Sequence, residues 1–296
     1  MSYFRSMFKV LAFASAFFCC ATWSHQATAQ VKEPDFGNVE WKKPYKPFRI
    51  VGNLYYVGTY ELASYLITTP EGHILINTGL ASSADAIAKN IVSLGFTVAD
   101  IKILLTNQAH FDHLGGMAGM YRMCGAKMMA DAADVDVIQD GGDSDFLYGG
   151  KGAMFEPVNV ERALKDGDKI TLGDMELTML HHPGHTKGSC SYAFTVKDEK
   201  RNYDVLIANM PKMLPEVELP TMPTYPEVGK DFEYTYGVMP GLKFDIWLAA
   251  HASQFDLHRK HKPGDKYNPD AFIDRKGYDA SIKKLQKEYL TKKAGK

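Results

Sequence analysis

Thr106-Asn107-Gln108-Ala109-His110-Phe111-Asp112-His113 is the stretch on which the reading of this chain turns. Gln108, His110, Asp112 and His113 form the pattern Q-x-H-x-D-H, four metal-capable side chains within six residues. The apolar run Ile103-Leu104-Leu105 leads in and Gly115-Gly116 leads out, so the cluster is expected on a loop at the end of a strand. Imidazoles together with a carboxylate suit zinc. Polar residues simply exposed after a strand are the alternative. Two further histidine segments downstream argue against it, because they supply the ligands that the octapeptide lacks.

Working outward, the runs Phe48–Ile50, Leu54–Val57, Ser64–Ile67 and Ile74–Ile76 read as strands, separated by Gly52-Asn53 and Pro70-Glu71-Gly72 turns. Ser82 or Ser83 caps a helix with Ile87, Ile91 and Leu94 on one face and Gly95 as its stop. Ile101–Leu105 is the strand that delivers the octapeptide. Leu114–Met123 and Ala132–Ile138 are expected as helices, with Lys127–Ala130 as a short strand between them. Residues 139–156 are rich in Gly and Asp and read as a long loop. Lys169–Leu172 and Met175–Leu180 alternate across Gly173-Asp174 as a hairpin, leading to His181-His182-Pro183-Gly184-His185-Thr186-Lys187-Gly188-Ser189. Ser191–Val196, Tyr203–Ala208 and Phe244–Ala249 are further strands, the last ending near His251. The Pro-rich residues 211–228 are expected to border a site, and residues 30–47 to lie over the surface. Tyr278, Ile282, Leu285 and Tyr289 make the apolar stripe of a C-terminal helix. Strand clusters in both halves, each followed by helices, predict an α/β fold of two packed sheets with helices outside, in a single domain over residues 30–296.

The chain has 296 residues, 45% of them hydrophobic and 23% charged, with a formal net charge of −1. That balance argues against a nucleic-acid partner. Residues 1–29 have the form of a secretory signal peptide. Arg5 and Lys9 are followed by a largely apolar run from Val10 to Thr22 and by Ala27-Thr28-Ala29 before Gln30. The run is short for a membrane span. The expected location is therefore the periplasm, for a secreted monomer with no membrane span. Cys124 and Cys190 remain after cleavage, neither in a C-x-x-C pair, and both are read as small core residues.

His110/Asp112/His113, His185 and His251 each follow a strand, where a rigid sheet aims side chains at one place. This arrangement resembles the metallo-β-lactamase superfamily over essentially the whole mature chain. The resemblance implies a four-layer αβ/βα sandwich with zinc in the groove between the sheets. Two departures narrow it. Gln108 stands where the superfamily usually has His. The strand Leu206-Ile207-Ala208-Asn209-Met210 lacks the carboxylate that bridges two metals in members acting on thioesters, lactones or phosphodiesters. Class B β-lactamases lack that carboxylate too, and Met210 stands where the first two subclasses have Cys. Gln108, Met210, the run from His181 to Cys190 and the run from His251 to His258 resemble the GOB-type branch of the third subclass. Asn53 to Tyr60 extends the likeness.

Residue by residue, the resemblance implies one zinc position from Gln108, His110 and His185 and a second from Asp112, His113 and His251. His181 and His182 match no ligand and are expected to support or pack, and His258 and His261 are expected at the surface. Asn77 stands where many members have an Asp that supports the ligand loop. An amide oxygen is a weaker zinc donor than imidazole, so the second position is expected to hold metal more firmly, with one or two zinc ions per chain. The implied reaction is hydrolysis of the lactam amide of penicillins, cephalosporins and carbapenems by hydroxide formed on zinc, which confers antibiotic resistance. Asp112 would orient the water or accept its proton, and Lys212 is a candidate for the substrate carboxylate. The serine-hydrolase elbow Gly-x-Ser-x-Gly is absent. The alternatives are another hydrolase of the superfamily, a lactonase or thioesterase, and a metal-binding pseudoenzyme whose lost ligand would be Gln108.

Overall fold

Alternation along the central strands sorts their side chains into two cores. Ile74 and Ile76 face one core while Leu75 between them faces the other, and Ile103 and Leu105 part from Leu104 in the same way. A sheet buried on both faces in this manner must have a layer on each side. The computed structural model describes residues 31–295; the expected signal segment lies outside them.

After one helical turn at Val39–Lys42 (α1), Phe48–Val51 (β1), Leu54–Tyr56 (β2), Tyr65–Thr69 (β3) and Gly72–Ile76 (β4) follow the four expected runs. Ser83–Ser93 (α2) then crosses to Ile101–Leu105 (β5). Phe111–Leu114 (α3) and Met117–Cys124 (α4) lead to Lys127–Asp131 (β6). Val135–Gln139 (α5) and a long loop lead to Arg162–Leu164 (β7). These seven strands form one sheet in sequential order, antiparallel from β1 to β4 and parallel from β4 to β7.

Lys169–Leu172 (β8), Met175–His181 (β9), Cys190–Lys197 (β10), Asn202–Ala208 (β11) and Ile246–Ala249 (β12) make the second sheet, ordered β12-β11-β10-β9-β8. Its β11–β12 pair is parallel, bridged by Val228–Val238 (α6). Leu257–Lys260 (α7) and Arg275–Lys293 (α8) close the chain. Ile74, Ile103 and Tyr65 meet Leu177, Tyr192 and Val205 between the sheets. Ile87 and Ile91 of α2 and Met117 and Met120 of α4 cover the outer face of the first sheet. Tyr278, Ile282 and Tyr289 of α8 join the core beside Trp247, with the Tyr278 and Trp247 rings 5.4 Å apart. The architecture is the four-layer αβ/βα sandwich.

Several local expectations need correction. The helix expected over Leu114–Met123 is two helices. A Cβ at Gly115 would lie 2.5 Å from Ala81 N and one at Gly116 2.6 Å from Thr78 O, so the chain bends there against the segment after β4. Asp112 and His113 consequently sit on a helical turn, not on a loop. His261 is not a surface residue, and His258 is only half-exposed. His258 stacks on Tyr60, and buried His261 stacks on Phe48 and meets the Tyr45 hydroxyl through Nδ1 at 3.1 Å. Cys190 is buried but Cys124 is half-buried, and neither forms a disulfide among the described residues. The short edge strand β7 and helix α6 carried no sequence expectation.

Candidate metal centre

Three segments meet in the groove at the rim of the two sheets. The first follows β5. Asn77, at φ 62°, accepts from Asn107 N at 2.9 Å through Oδ1 and donates from Nδ2 to Asn107 Oδ1 at 2.8 Å. Asn107 donates in turn to Cys190 O at 2.8 Å and accepts from Cys190 N at 2.8 Å. One amide thus ties the octapeptide to the start of β10 across the groove. This is the supporting role expected of Asn77.

The second segment is the turn between β9 and β10, and the third follows β12. His251 is anchored by an antiparallel bridge to Leu62, with Ala63 N donating to Ala250 O at 3.0 Å and Ala252 N to Glu61 O at 2.8 Å. Glu61 accepts from Ser253 N and Oγ, and its Oε1 lies 3.6 Å from His251 Nδ1.

These anchors bring Asp112, His113 and His251 together, one ligand atom from each lying within 4.8 Å of the others. Asp112 Oδ2 is 3.4 Å from His113 Nε2 and 3.4 Å from His251 Nε2. The rings of His113 and His251 are 5.1 Å apart, and those of His110 and His185 are 5.0 Å apart. His185 donates from Nδ1 to Lys212 O at 2.6 Å, which leaves Nε2 as its lone-pair donor. His110 Nε2 faces Asp145 Oδ2 at 3.4 Å, which leaves Nδ1. Gln108 is buried and lines the same cleft. All six residues expected from the sequence therefore border one cavity or stand directly behind its wall. His181 and His182 do not. His181 Nδ1 bonds Asp131 at 2.6 Å, and His182 Nδ1 bonds Ser191 Oγ at 2.7 Å.

The donor set fits a divalent metal. Both ring nitrogens of His113 are buried with no hydrogen-bond partner among the described residues, a costly arrangement unless a cation takes a lone pair. The protonation states agree. Burial, helped by the neighbouring imidazoles, depresses His113 and His185 to about 3, so both are neutral donors at pH 7. Burial opposes ionisation of Asp112, but the imidazoles of His113, His251 and His110 outweigh it and hold the carboxyl well below its usual range. Burial would lower His251 as well, yet Asp112 and Glu61 raise it to about 9. A metal ion would displace that proton, so its binding is coupled to proton release.

The cleft has a volume of about 450 Å³. Sequence reading missed part of its wall. Residues 30–47 do not merely lie over the surface. Phe36 and Trp41 line the cleft mouth, with Phe36 6.2 Å from the Tyr148 ring and Trp41 6.0 Å from the His251 ring. The segment is held by Lys32 N donating to Ala153 O and by Ala81 N donating to Glu33 Oε1. Phe36 and Trp41, two of the three aromatics in a largely polar stretch, were the available signal. Glu61 and Asp145 gave none, since an isolated acid looks the same wherever it lies. Lys212 is exposed at the rim and lines the cleft.

The sequence pattern of the metallo-beta-lactamase superfamily matches residues 61–198. The crystal structure of the class B3 di-zinc metallo-beta-lactamase LRA-12 from an Alaskan soil metagenome is 59% identical, covers 88% of this chain and 99% of its own, and superposes with a TM-score of 0.87. The metallo-beta-lactamase GOB-18 from Elizabethkingia meningoseptica is 54% identical, with 90% and 99% coverage and a TM-score of 0.88. Among curated relatives, a cytoplasmic hydroxyacylglutathione hydrolase from Arabidopsis thaliana is 34% identical over 41% of this chain, and the chain spans only 41% of that relative's length.

Proposed function

The chain belongs to the metallo-β-lactamase superfamily, and from that premise we propose that it is a zinc-dependent β-lactamase of the GOB-type branch of class B3. The carrying observation is the convergence of Asp112, His113 and His251 in the cleft of a chain 59% identical to a class B3 di-zinc enzyme. In this reading Gln108, His110 and His185 hold one zinc and Asp112, His113 and His251 the other. Zinc bound there would supply a Lewis acid able to lower the pKa of water from 15.7 to about 7.

The chain's own groups do the rest. Asp112, ionised and flanked by two imidazoles, orients the attacking water and takes its proton. His185 is held in one tautomer by Lys212 O, and His110 Nε2 faces Asp145, so both rings are oriented before charge develops. Phe36, Trp41 and Tyr148 form the apolar wall of the cleft mouth and shed water from the bound ring. Lys212 at the rim attracts the carboxylate that β-lactams carry beside the ring nitrogen. No covalent intermediate on the protein is required. Penicillins, cephalosporins and carbapenems are the proposed substrates. The proposed working form is residues 30–296, acting as a periplasmic monomer after removal of residues 1–29, with antibiotic resistance as the consequence. Thioester hydrolysis, the activity named for several curated relatives, is disfavoured because Asn209 and Met210 occupy the cleft end of β11, with no carboxylate.

The test is carbapenem hydrolysis by the chain purified from Gln30, with zinc measured per chain. Turnover that a chelator abolishes and zinc restores is expected. Bound zinc with turnover of a thioester or lactone and of no β-lactam would replace this reading with the other hydrolase class.

A further inference from the structure

Asp134 is 2% exposed and sits between β6 and α5, away from the cleft lining. A carboxylate buried so deeply needs donors, and it has three. Its Oδ2 accepts from Ala109 N at 2.9 Å and from Thr186 Oγ1 at 2.7 Å, and its Oδ1 accepts from Gly188 N at 2.7 Å. Ala109 stands between Gln108 and His110, and Thr186 follows His185. The hydrogen-bond directions are fixed. Thr186 spends its hydroxyl proton on Asp134, so at 2.9 Å it accepts from Ser189 Oγ, which itself accepts from Thr186 N at 2.8 Å. The turn is moulded on this group, because a Cβ at Gly188 would lie 2.6 Å from Asp134 Cγ and 2.6 Å from its backbone nitrogen. Among the described residues no such bond runs from Asp134 to Asp112, His113 or His251. Those are set by α3 and by the bridge to Leu62.

We propose that Asp134 is a positioning residue that sets the spacing of one metal position only, that of Gln108, His110 and His185, by clasping both of the segments that carry it. The inference rests on the two-position reading of the centre given above. It also accounts for Thr186, Gly188 and Ser189 in the run after His185, which the chemistry did not use.

Asp134→Asn is the informative change. With its oxygen toward Ala109 and Thr186, the amide turns an N–H against the Gly188 N–H. With the amide flipped, it opposes the Ala109 N–H. Either way one of the three clasping bonds is replaced by an N–H facing an N–H, and the clasp is loosened. Apo protein is titrated with zinc against a competing chelator, and a His251→Ala reference identifies which step belongs to which position. Repeating the series in a Gln108→His background strengthens the donor set of the position under test. Asp134→Asn is expected to weaken that step by about 10- to 100-fold, the usual effect of losing an outer partner, and to leave the Asp112/His113/His251 step within about twofold. Thr186→Val, which removes one clasp and keeps the carboxylate, is expected to show the same preference at smaller size. It also covers the case in which Asp134→Asn does not fold. Equal weakening of both steps would make Asp134 a general structural residue and overturn the proposal, as would no change in either. A parent chain that binds no zinc would overturn the metal reading and this inference together, whereas an unchanged variant of a zinc-binding parent overturns this inference alone.

Discussion

Lys212 has two separable jobs. Its carbonyl fixes the His185 ring, and its ammonium stands exposed at the cleft rim. Lys212→Ala keeps the first and deletes the second. Steady-state kinetics on a carbapenem should show KM raised about tenfold, the equivalent of about 1.4 kcal/mol, with kcat within about twofold. An unchanged KM would remove the side chain from substrate binding. His182 offers a different test. Burial holds it at about 4, against about 6.5 for an unfolded histidine. The unfolded chain therefore takes up the proton first as pH falls. The stability this neutral ring contributes is fully present above pH 6.5, is lost as pH falls toward 4, and amounts to about 3 kcal/mol at most. Urea denaturation of apo protein between pH 4.5 and 7 should show a shallower acid limb for His182→Gln than for the parent; parallel limbs would rule the group out. At this scale the sequence was informative wherever chemistry is rare. Gln108, His110, Asp112 and His113 declare themselves by crowding, and His185 and His251 by following apolar runs. Asp145, Glu61 and Asp134 could not be read, because a supporting carboxylate is defined by its partners and these lie far away in the chain.

The turn between β9 and β10 is held from behind by α6. Gly184 sits at φ 127°, and a Cβ there would come 2.8 Å from Phe232 Cδ1 and 2.9 Å from its Cγ. Gly95, at φ 90°, has nothing within 4 Å of the corresponding point among the described residues. Gly95→Ala should cost only backbone strain, on the order of 1 kcal/mol, whereas Gly184→Ala adds overpacking of about 1–3 kcal/mol. Denaturant midpoints of the two variants measure the difference, and equal midpoints would show that α6 yields freely. The element that does this was itself illegible. Val-Gly-Lys-Asp-Phe-Glu-Tyr-Thr-Tyr-Gly-Val contains β-branched and aromatic residues and two glycines, poor helix formers whose helix here is secured by burying Val228, Phe232 and Tyr236. The strands of the two-layer core were legible because their alternation is enforced on both faces. The edge strand β7, three residues long, had too little pattern to detect.

The centre joins the halves of the molecule. Gln108, His110, Asp112 and His113 belong to the seven-stranded side, and His185 and His251 to the five-stranded side. A metal bound only by the folded state stabilises it by mass action, by about 4 kcal/mol when free zinc is about 1,000 times its dissociation constant. The melting temperature should therefore rise with the logarithm of free zinc and fall on chelation, as differential scanning calorimetry at buffered zinc would record. A zinc-independent transition would mean that the sheets dock without help from the centre. The fold class was open to sequence reading because both halves repeat the strand-then-helix order. The aromatic wall from residues 36–41 was not, because its partner Tyr148 lies in an irregular loop with no periodicity to betray it.

The distribution of the donors also imposes a timetable. Synthesis from the N-terminus completes β1 to β7, with His110, Asp112 and His113, before His185 is made and well before His251. An unfinished chain owns four of the six donors. The complete donor set therefore exists only in a chain finished through His251, and zinc held at both positions would report that the whole molecule has been made.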